Sequence, residues 1–309
     1  MNAPHLPLRL GVVGLGPMGM HHVRAVADLA MAKLTAVADV RHIHAEEIGK
    51  QFGCPGFANA ESLLGAVDAA IIATPPDVHA VTAIPLLNVG IPCLIEKPLA
   101  LNEADAQAIM AAAAKTNAVV AVGHVERFNP AAEALLADGI QSADVTSIDV
   151  RRFSPASGRQ VPVDVVSDMM IHDLDVMLAL KTDEVVAVDA AGAPDDYVNA
   201  TLRFTDGTVA RVAANRKADN RVRELKLTTK AHTYVLDFMN RTVMKTHGNA
   251  TQTLAVTPHD ALRAEIADFL SAVTTKQPPR VTAAHALKSM RVAWRILDAV
   301  AKTAKAKRA

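Results

Sequence analysis

The chain has no excess of charge of either sign. Its 309 residues carry 32 lysines and arginines against 32 aspartates and glutamates, a formal net charge of +0 at pH 7. No bulk electrostatic attraction therefore draws it to nucleic acid or to an anionic membrane. Its one basic run, Lys302, Lys305, Lys307 and Arg308, reads as a solvated helix end. Cysteine is scarce. Cys54 and Cys93 stand too far apart for a Cys-x-x-Cys metal site and are too few for a disulfide framework, so both are expected as buried thiols in a reducing compartment. No segment approaches ~18 uninterrupted apolar residues, and the N-terminus lacks a basic stretch followed by an apolar core. The expectation is a soluble cytoplasmic protein with neither a membrane nor a nucleic acid as partner.

What the chain does have is alternation. Half of it is hydrophobic and 21% is charged, the profile of a globular protein of one or two domains. From Leu8 to Gly123 the runs LRLGVVG, LTAVAD, AAIIA, IPCLIE and AVVAVG alternate with helix-like segments. Near-continuous apolar runs of this length suit parallel strands covered on both faces. Asn102, followed by Glu103 and Asp105, gives one helix an N-cap and acids at the positive end of its dipole. Residues 1–125 are therefore predicted to form a domain of the α/β class built on a doubly wound parallel sheet. After Asn129 the pattern changes. Alternating runs from Val185 to about Thr246, with a hairpin signal at Asp206-Gly207, predict an α+β domain of mainly antiparallel strands over 126–309, closed by helices near 259–274 and 282–301.

Residues that carry chemistry stand at strand ends, where doubly wound sheets bind their ligands. Gly14-Leu15-Gly16-Pro17-Met18-Gly19 follows the first strand and opens a helix. Glycines there let bare backbone approach a pyrophosphate and let the helix pack closely on the strand. Asp39 ends the second strand, twenty residues after Gly19. It can accept hydrogen bonds from both adenosine ribose hydroxyls and would repel a 2′-phosphate, which favours NAD over NADP. Arg41 offers a guanidinium that could instead pair with such a phosphate. Thr74-Pro75-Pro76 stiffens the loop after the third clear strand, with His79 just inside the next helix. Glu96-Lys97-Pro98 ends the strand after that, and a lysine there can hold an alkoxide or carbonyl oxygen as a point charge. His21-His22 and His42-x-His44 sit near helix starts and read as cofactor-proximal or surface groups, so no metal is expected.

The stretch SDMMIHDLD, residues 167–175, raises a separate question. On a helix, Asp168, His172 and Asp175 lie at i, i+4 and i+7, within about 60° of one another, with Val165, Met169, Val176, Ile171, Leu174 and Leu178 on the two flanks. A polar stripe inside apolar borders is either a buried, mutually satisfied hydrogen-bond set or the wall of a pocket.

Taken together, Gly14-x-Gly16-x-x-Gly19, Thr74-Pro75-Pro76-x-x-His79, Glu96-Lys97-Pro98, Gly123-His124 with Arg127-Phe128-x-Pro130, and Asp168-x-x-x-His172 resemble, in content and order, the Gfo/Idh/MocA oxidoreductases. The stretches GHVERFNPA and VSDMMIHDLDVML are most similar to the UDP-N-acetylglucosamine 3-dehydrogenase branch. The resemblance implies a Rossmann domain followed by a domain with an open sheet that forms oligomer contacts, a homodimer or homotetramer. It also implies an oxidation or reduction of a secondary hydroxyl on a sugar, a nucleotide sugar or a cyclitol.

On that basis the cofactor contacts are expected from Gly14, Gly16, Pro17, Met18, Gly19, Asp39, Arg41, Thr74, Pro75, His79, Glu96 and Lys97. Lys97, Asp168 and His172 are expected to meet around the substrate hydroxyl, with His172 as general base, Asp168 orienting its ring and Lys97 stabilising the alkoxide; Lys97 and His172 could exchange roles. His124, Arg127 and Asn129 are candidate substrate contacts, Arg127 having a structural ion pair as its alternative. Arg151, Arg152 and Arg159 suit the diphosphate of a nucleotide sugar, or a solvated surface. Asp175 could equally bond a neighbouring backbone group or an arginine. Two other functions stay open: a free-sugar or inositol dehydrogenase of the same mechanism, and an NAD-sensing binding module without turnover.

Overall fold

The computed structural model describes residues 7–156 and 163–306; the first six residues, Arg159, Lys307 and Arg308 lie outside the described residues. The chain forms two compact units, Met1–His124 with Asp260–Leu287, and Val125–His259 with Lys288–Ala309.

The first unit runs β1 (Leu8–Val13), α1 (Pro17–Ala27), β2 (Ala32–Ala38), α2 (His42–Phe52), β3 (Gly56–Phe57), β4 (Ala69–Ile72), α3 (His79–Asn88), β5 (Cys93–Glu96), α4 (Glu103–Thr116) and β6 (Val120–Gly123). Its six strands pair in the order β3-β2-β1-β4-β5-β6, all parallel. Every residue of β4, β5 and β6 is buried, which is why these strands read as unbroken apolar runs rather than alternating ones. The cap on α4 forms as expected: the Asn102 side chain accepts from Asp105 N–H at 2.9 Å. Cys93 is buried and Cys54 half-buried, and both are free thiols.

One boundary after residue 125 does not describe the chain, because residues 260–287 return to the first unit. The cause is apolar. The helix α7 (Ala261–Thr275) starts at Asp260, whose carboxylate accepts from Arg263 N–H at 2.9 Å. It then places Ile266, Phe269 and Leu270 in the core formed by Leu10, Val12, Val23 and Leu34. Three fully buried side chains of this size contribute several kcal/mol of burial, at about 1.5–3 kcal/mol each, enough to hold a segment distant in sequence.

The second unit contains α5 (Pro130–Ala137), β7 (Val145–Phe153), α6 (Ile171–Leu180), β8 (Val185–Ala193), β9 (Tyr197–Phe204), β10 (Val209–Asn215), β11 (Val222–Thr229), β12 (Thr233–Asp237), β13 (Thr242–His247) and β14 (Ala250–Thr253); α8 (Ala283–Ala306) ends the described chain. Its sheet has the order β14-β13-β12-β11-β7-β10-β9-β8, antiparallel throughout except for the β7–β10 pair. The hairpin at Asp206-Gly207 joins β9 to β10, with Gly207 at φ +86, a conformation that favours glycine. Among the described residues, no helix is long and apolar enough to cross a membrane.

Asp206 has a second use at this turn. The Lys181 ammonium, with its side chain 0% exposed, lies 2.5 Å from Asp206 and 2.8 Å from Asp183, and donates to Ser142 O at 3.0 Å. Lys181, followed by the Thr208 backbone N–H, pushes the Asp206 carboxyl down to about 2. A carboxyl with a depressed folded value adds stability above its unfolded value and loses it as the pH falls through the folded one. Asp206→Asn should therefore melt at a lower temperature than the parent near neutral pH, and the gap should close as the pH approaches about 2. Thermal melts across that range check it. Phe269→Ala should cost roughly 3–5 kcal/mol in urea unfolding, the range for emptying a buried aromatic site; a cost below about 1 kcal/mol would mean that α7 is not part of the first core.

Candidate active site

In the first unit the glycine loop is built by steric exclusion. Gly14 has φ +88, and a Cβ there would lie 2.7 Å from the Ala73 carbonyl and Thr74 nitrogen. A Cβ on Gly19 would sit 1.8 Å from Gly14 O, so the start of α1 can press on the loop only as glycine. Gly16 differs, because a Cβ there would meet nothing within 4 Å. It is also the N-cap of α1, with Pro17 opening the helix and no side chain capping it. Uncapped N–H groups at the positive end of a helix dipole, beneath bare backbone, form a cradle for a phosphate group. The loop therefore fits the pyrophosphate of a dinucleotide.

Asp39 stands beside it. Its Oδ2 accepts from Leu15 N–H at 2.8 Å, and its Oδ1 from Arg41 N–H at 2.9 Å and Arg41 Nε at 3.0 Å. Burial alone would raise this carboxyl, but the hydrogen bonds from Arg41 and Leu15 outweigh it and hold the group below the ordinary carboxylate value. An ionised acceptor thus ends β2. The Arg41 side chain, 62% exposed, is drawn onto it. Beyond β4, the Thr74 hydroxyl is buried and meets no hydrogen-bond partner, which fits a ligand group at this strand end.

Two expected cofactor contacts face inward instead. The His79 ring, 1% exposed, has Nε2 2.9 Å from Thr74 O and Nδ1 3.1 Å from Pro98 O, so it braces the Thr74 loop against the segment after β5. Burial lowers its pKa, opposed by these carbonyls and by the charge of Glu96. Glu96 has Oε1 2.7 Å from His22 Nε2, and its Oε2 accepts from Lys97 N–H at 3.1 Å. Burial pushes this carboxyl up, and His22 and Lys97 together overcome it, leaving it below its usual value. Both side chains support the neighbouring Thr74 and Lys97 rather than offering polar atoms outward. His22, read as a cofactor-proximal or surface group, is 0% exposed. His22, Glu96 and Glu265 bring one ligand atom each within 4.8 Å of one another, all buried. That grouping was not visible in the sequence, because Glu265 reaches it from α7. His124, at the end of the unit, is buried.

In the second unit the stripe on SDMMIHDLD is divided. Val166–Met170 is a single π-turn, followed directly by α6. Such turns widen the helix and frequently occur at functional sites. Asp164 starts it, its Oδ1 accepting from the N–H groups of Val166 and Ser167 at 2.9 and 2.8 Å. Asp168 and His172 lie on either side of the α6 start, both half-buried, inside borders made by the buried Val165, Ile171, Leu174 and Val176. Arg216 Nη2 lies 3.6 Å from Asp168 Oδ2.

Asp175 and Asp173 point the other way. Arg127 Nε donates to Asp175 Oδ2 at 2.9 Å, with side chains 9% and 2% exposed. Arg152 donates to Asp173 through Nε and Nη2, both at 2.8 Å, and to Glu126 through Nη1 at 3.0 Å. Burial works against the charge of Arg152, but the two carboxylates raise its pKa above the ordinary value. Arg127 thus takes its structural alternative. Asn129 is corrected as a substrate contact: it caps α5 through Ala131 N–H at 3.1 Å and donates to Glu126 and to Phe238 O at 3.0 Å each. Arg152 is likewise no diphosphate fork. Arg151, on the opposite face of β7, pairs with Glu224 at 2.5 Å. Sequence reasoning did not single out Asp173, because it lies off the Asp168–His172–Asp175 stripe and its partner Arg152 comes from a distant strand.

Residues 8–124 match the model of the oxidoreductase family with an NAD-binding Rossmann fold, Gfo/Idh/MocA. Over 286 residues the chain is 32% identical to UDP-N-acetylglucosamine 3-dehydrogenase of Acidithiobacillus ferrooxidans, covering 88% of this chain and 90% of that one. The chain belongs to the Gfo/Idh/MocA oxidoreductase family. Inositol 2-dehydrogenase of Rhizobium meliloti is 30% identical, over 69% of this chain and 70% of that one. The solved structure of the Acidithiobacillus enzyme gives a TM-score of 0.90 at 31% identity, covering 95% of this chain and 98% of that one. This Gfo/Idh/MocA member is accordingly a dehydrogenase of CH–OH groups that uses a nicotinamide dinucleotide.

The contrast between two glycines tests the loop. Gly16→Ala should melt within about a degree of the parent yet bind NADH at least about tenfold more weakly, because its methyl meets no protein atom and stands at the uncapped start of α1. Gly19→Ala should lose both stability and binding. Fluorescence titration with NADH and a melting curve separate the two.

Proposed function

We propose that the protein oxidises the C3 hydroxyl of a UDP-N-acetylhexosamine with NAD. Supporting the chemistry is the half-buried Asp168–His172 pair across the π-turn, on a helix whose other acids, Asp173 and Asp175, are held in buried ion pairs. The substrate class rests on the likeness to the Acidithiobacillus enzyme, which extends through both units.

The bound nicotinamide supplies the hydride acceptor. His172 takes the hydroxyl proton as general base. Asp168 orients the ring and stabilises the imidazolium that results. Lys97 holds the developing oxyanion as a point charge, and Glu96, fixed by His22, keeps an anion beside that lysine. Gly14, Gly16, Pro17, Met18 and Gly19 cradle the pyrophosphate, with Thr74 and Pro75 bordering the same strand ends. His124 adds a buried wall next to β6. Asp39 accepts from the ribose hydroxyls and disfavours a 2′-phosphate, which selects NAD. The exposure of Arg41 supports a second reading, in which its guanidinium turns outward to pair with the phosphate of NADP.

Absorbance at 340 nm reads these assignments. UDP-N-acetylglucosamine with NAD should give NADH, and myo-inositol and glucose far less; turnover of inositol in place of the UDP-sugar would replace the substrate, and no turnover of any hydroxyl compound would leave a binding module. His172→Ala and Lys97→Met should each lower kcat by about 10²–10⁴-fold. Turnover within a few fold of the parent in both variants contradicts the scheme.

A further inference from the structure

The sequence offered Arg151 and Arg152 to a diphosphate, and the structure commits both elsewhere. A different pair of arginines, at the same end of the central strands, is left with donors to spare. Asn215 of β10, Phe153 of β7 and Val222 of β11 stand in one row; because β10 and β11 run in opposite directions, Arg216 lies just beyond that row and Arg223 just before it, two strand spacings across and two residues along. That is about 12 Å between backbones, a span two long side chains can close over one diphosphate.

Each is poorly satisfied. Among the described residues, Arg216 and Arg223 are the arginines whose Nε is buried with no hydrogen-bond partner. Arg216 spends one donor on Val163 O at 2.9 Å and lies 3.6 Å from Asp168, one turn before His172. Arg223 stands directly opposite Arg152 on the neighbouring antiparallel strand, where like charges repel. Its ion-pair partner Glu126 is 3.7 Å away, beyond hydrogen-bond reach, and already accepts from Arg152 at 3.0 Å. Asp173 is bound at both oxygens by Arg152. The Arg223 side chain is 38% exposed, so a ligand can reach it. Burial, then Arg152 and Arg221, work against its charge and bring its pKa below the ordinary arginine value despite Glu126. A half-buried cation beside other cations, with the local carboxylates taken, gains most from an added anion.

From this arrangement we infer that Arg223, with Arg216 beside it, binds the diphosphate of the nucleotide sugar on the second unit, near the turn that carries Asp168 and His172. This inference rests on the proposed substrate class and adds the residues that would select it. A free sugar or cyclitol has no group for these donors.

The test is calorimetric titration of UDP into the full-length protein with NAD present. The parent should bind UDP. Arg223→Gln should weaken it at least about 30-fold and Arg216→Gln about tenfold, the loss expected for a charge-assisted hydrogen bond. Arg223→Lys, which keeps the charge but not the fork, should lose about tenfold. Arg211→Gln, on the exposed side of β10, should stay within about twofold of the parent. UDP affinity within about threefold of the parent in Arg223→Gln, or no UDP binding by the parent, overturns the inference. If Arg223→Gln fails to fold, Arg223→Lys decides, and unchanged affinity there overturns it. The substrate reading is judged separately, by NADH formation from UDP-N-acetylglucosamine with the parent: turnover with unaltered UDP binding in the Arg223 variants leaves that reading standing and removes only this one.

Discussion

The second unit depends on a buried guanidinium. Arg152 places three donors on two carboxylates, Asp173 and Glu126, with its side chain only 3% exposed. An arginine in such a place is tolerable only because each of its three nitrogens donates to a carboxylate; removing either partner would leave an uncompensated buried charge. The pair ties β7 to the helix that carries His172, and the Arg127–Asp175 bond ties the same helix to the segment before α5. Four polar residues within eight positions are thereby sorted. Asp173 and Asp175 anchor the helix, and Asp168 and His172 remain half-buried.

A constraint of the opposite kind shapes the first unit. There the deciding atoms are ones the chain does not have. Cβ atoms at Gly14 and Gly19 would collide with backbone, whereas one at Gly16 would intrude on nothing of the protein. The first two glycines build the turn and the third position keeps its outer side clear for a phosphate. Asp39 reinforces the turn through Leu15 N–H, so the carboxylate that follows β2 also fixes the loop beside it.

What could be read from the sequence follows from whether the cause is local. The glycine loop was legible because only one residue type satisfies its backbone. The strands of the first unit were legible because double-sided burial writes itself as a solid apolar run, and the hairpin at Asp206-Gly207 because a turn with positive φ has few candidate residues. The family was legible from the order of its motifs. Roles that depend on a distant partner were not. Arg127 and Asn129 look like site residues until Asp175, Glu126 and the Phe238 carbonyl occupy them. His22 read as a cofactor-proximal or surface group until Glu96 and Glu265, from β5 and α7, met it. The π-turn was invisible for a related reason: Asp-x-x-x-His stacks both ends of the motif on one side in either helix type, so spacing alone does not separate them.

The most direct measurement of this account is a double-mutant cycle on Arg152→Met and Asp173→Ala, followed by urea unfolding. Each single change should cost roughly 3–5 kcal/mol, and the double change about as much as either alone, a coupling above about 2 kcal/mol. Costs that simply add, or single changes below about 1 kcal/mol, would show that this ion pair does not hold the helix bearing His172.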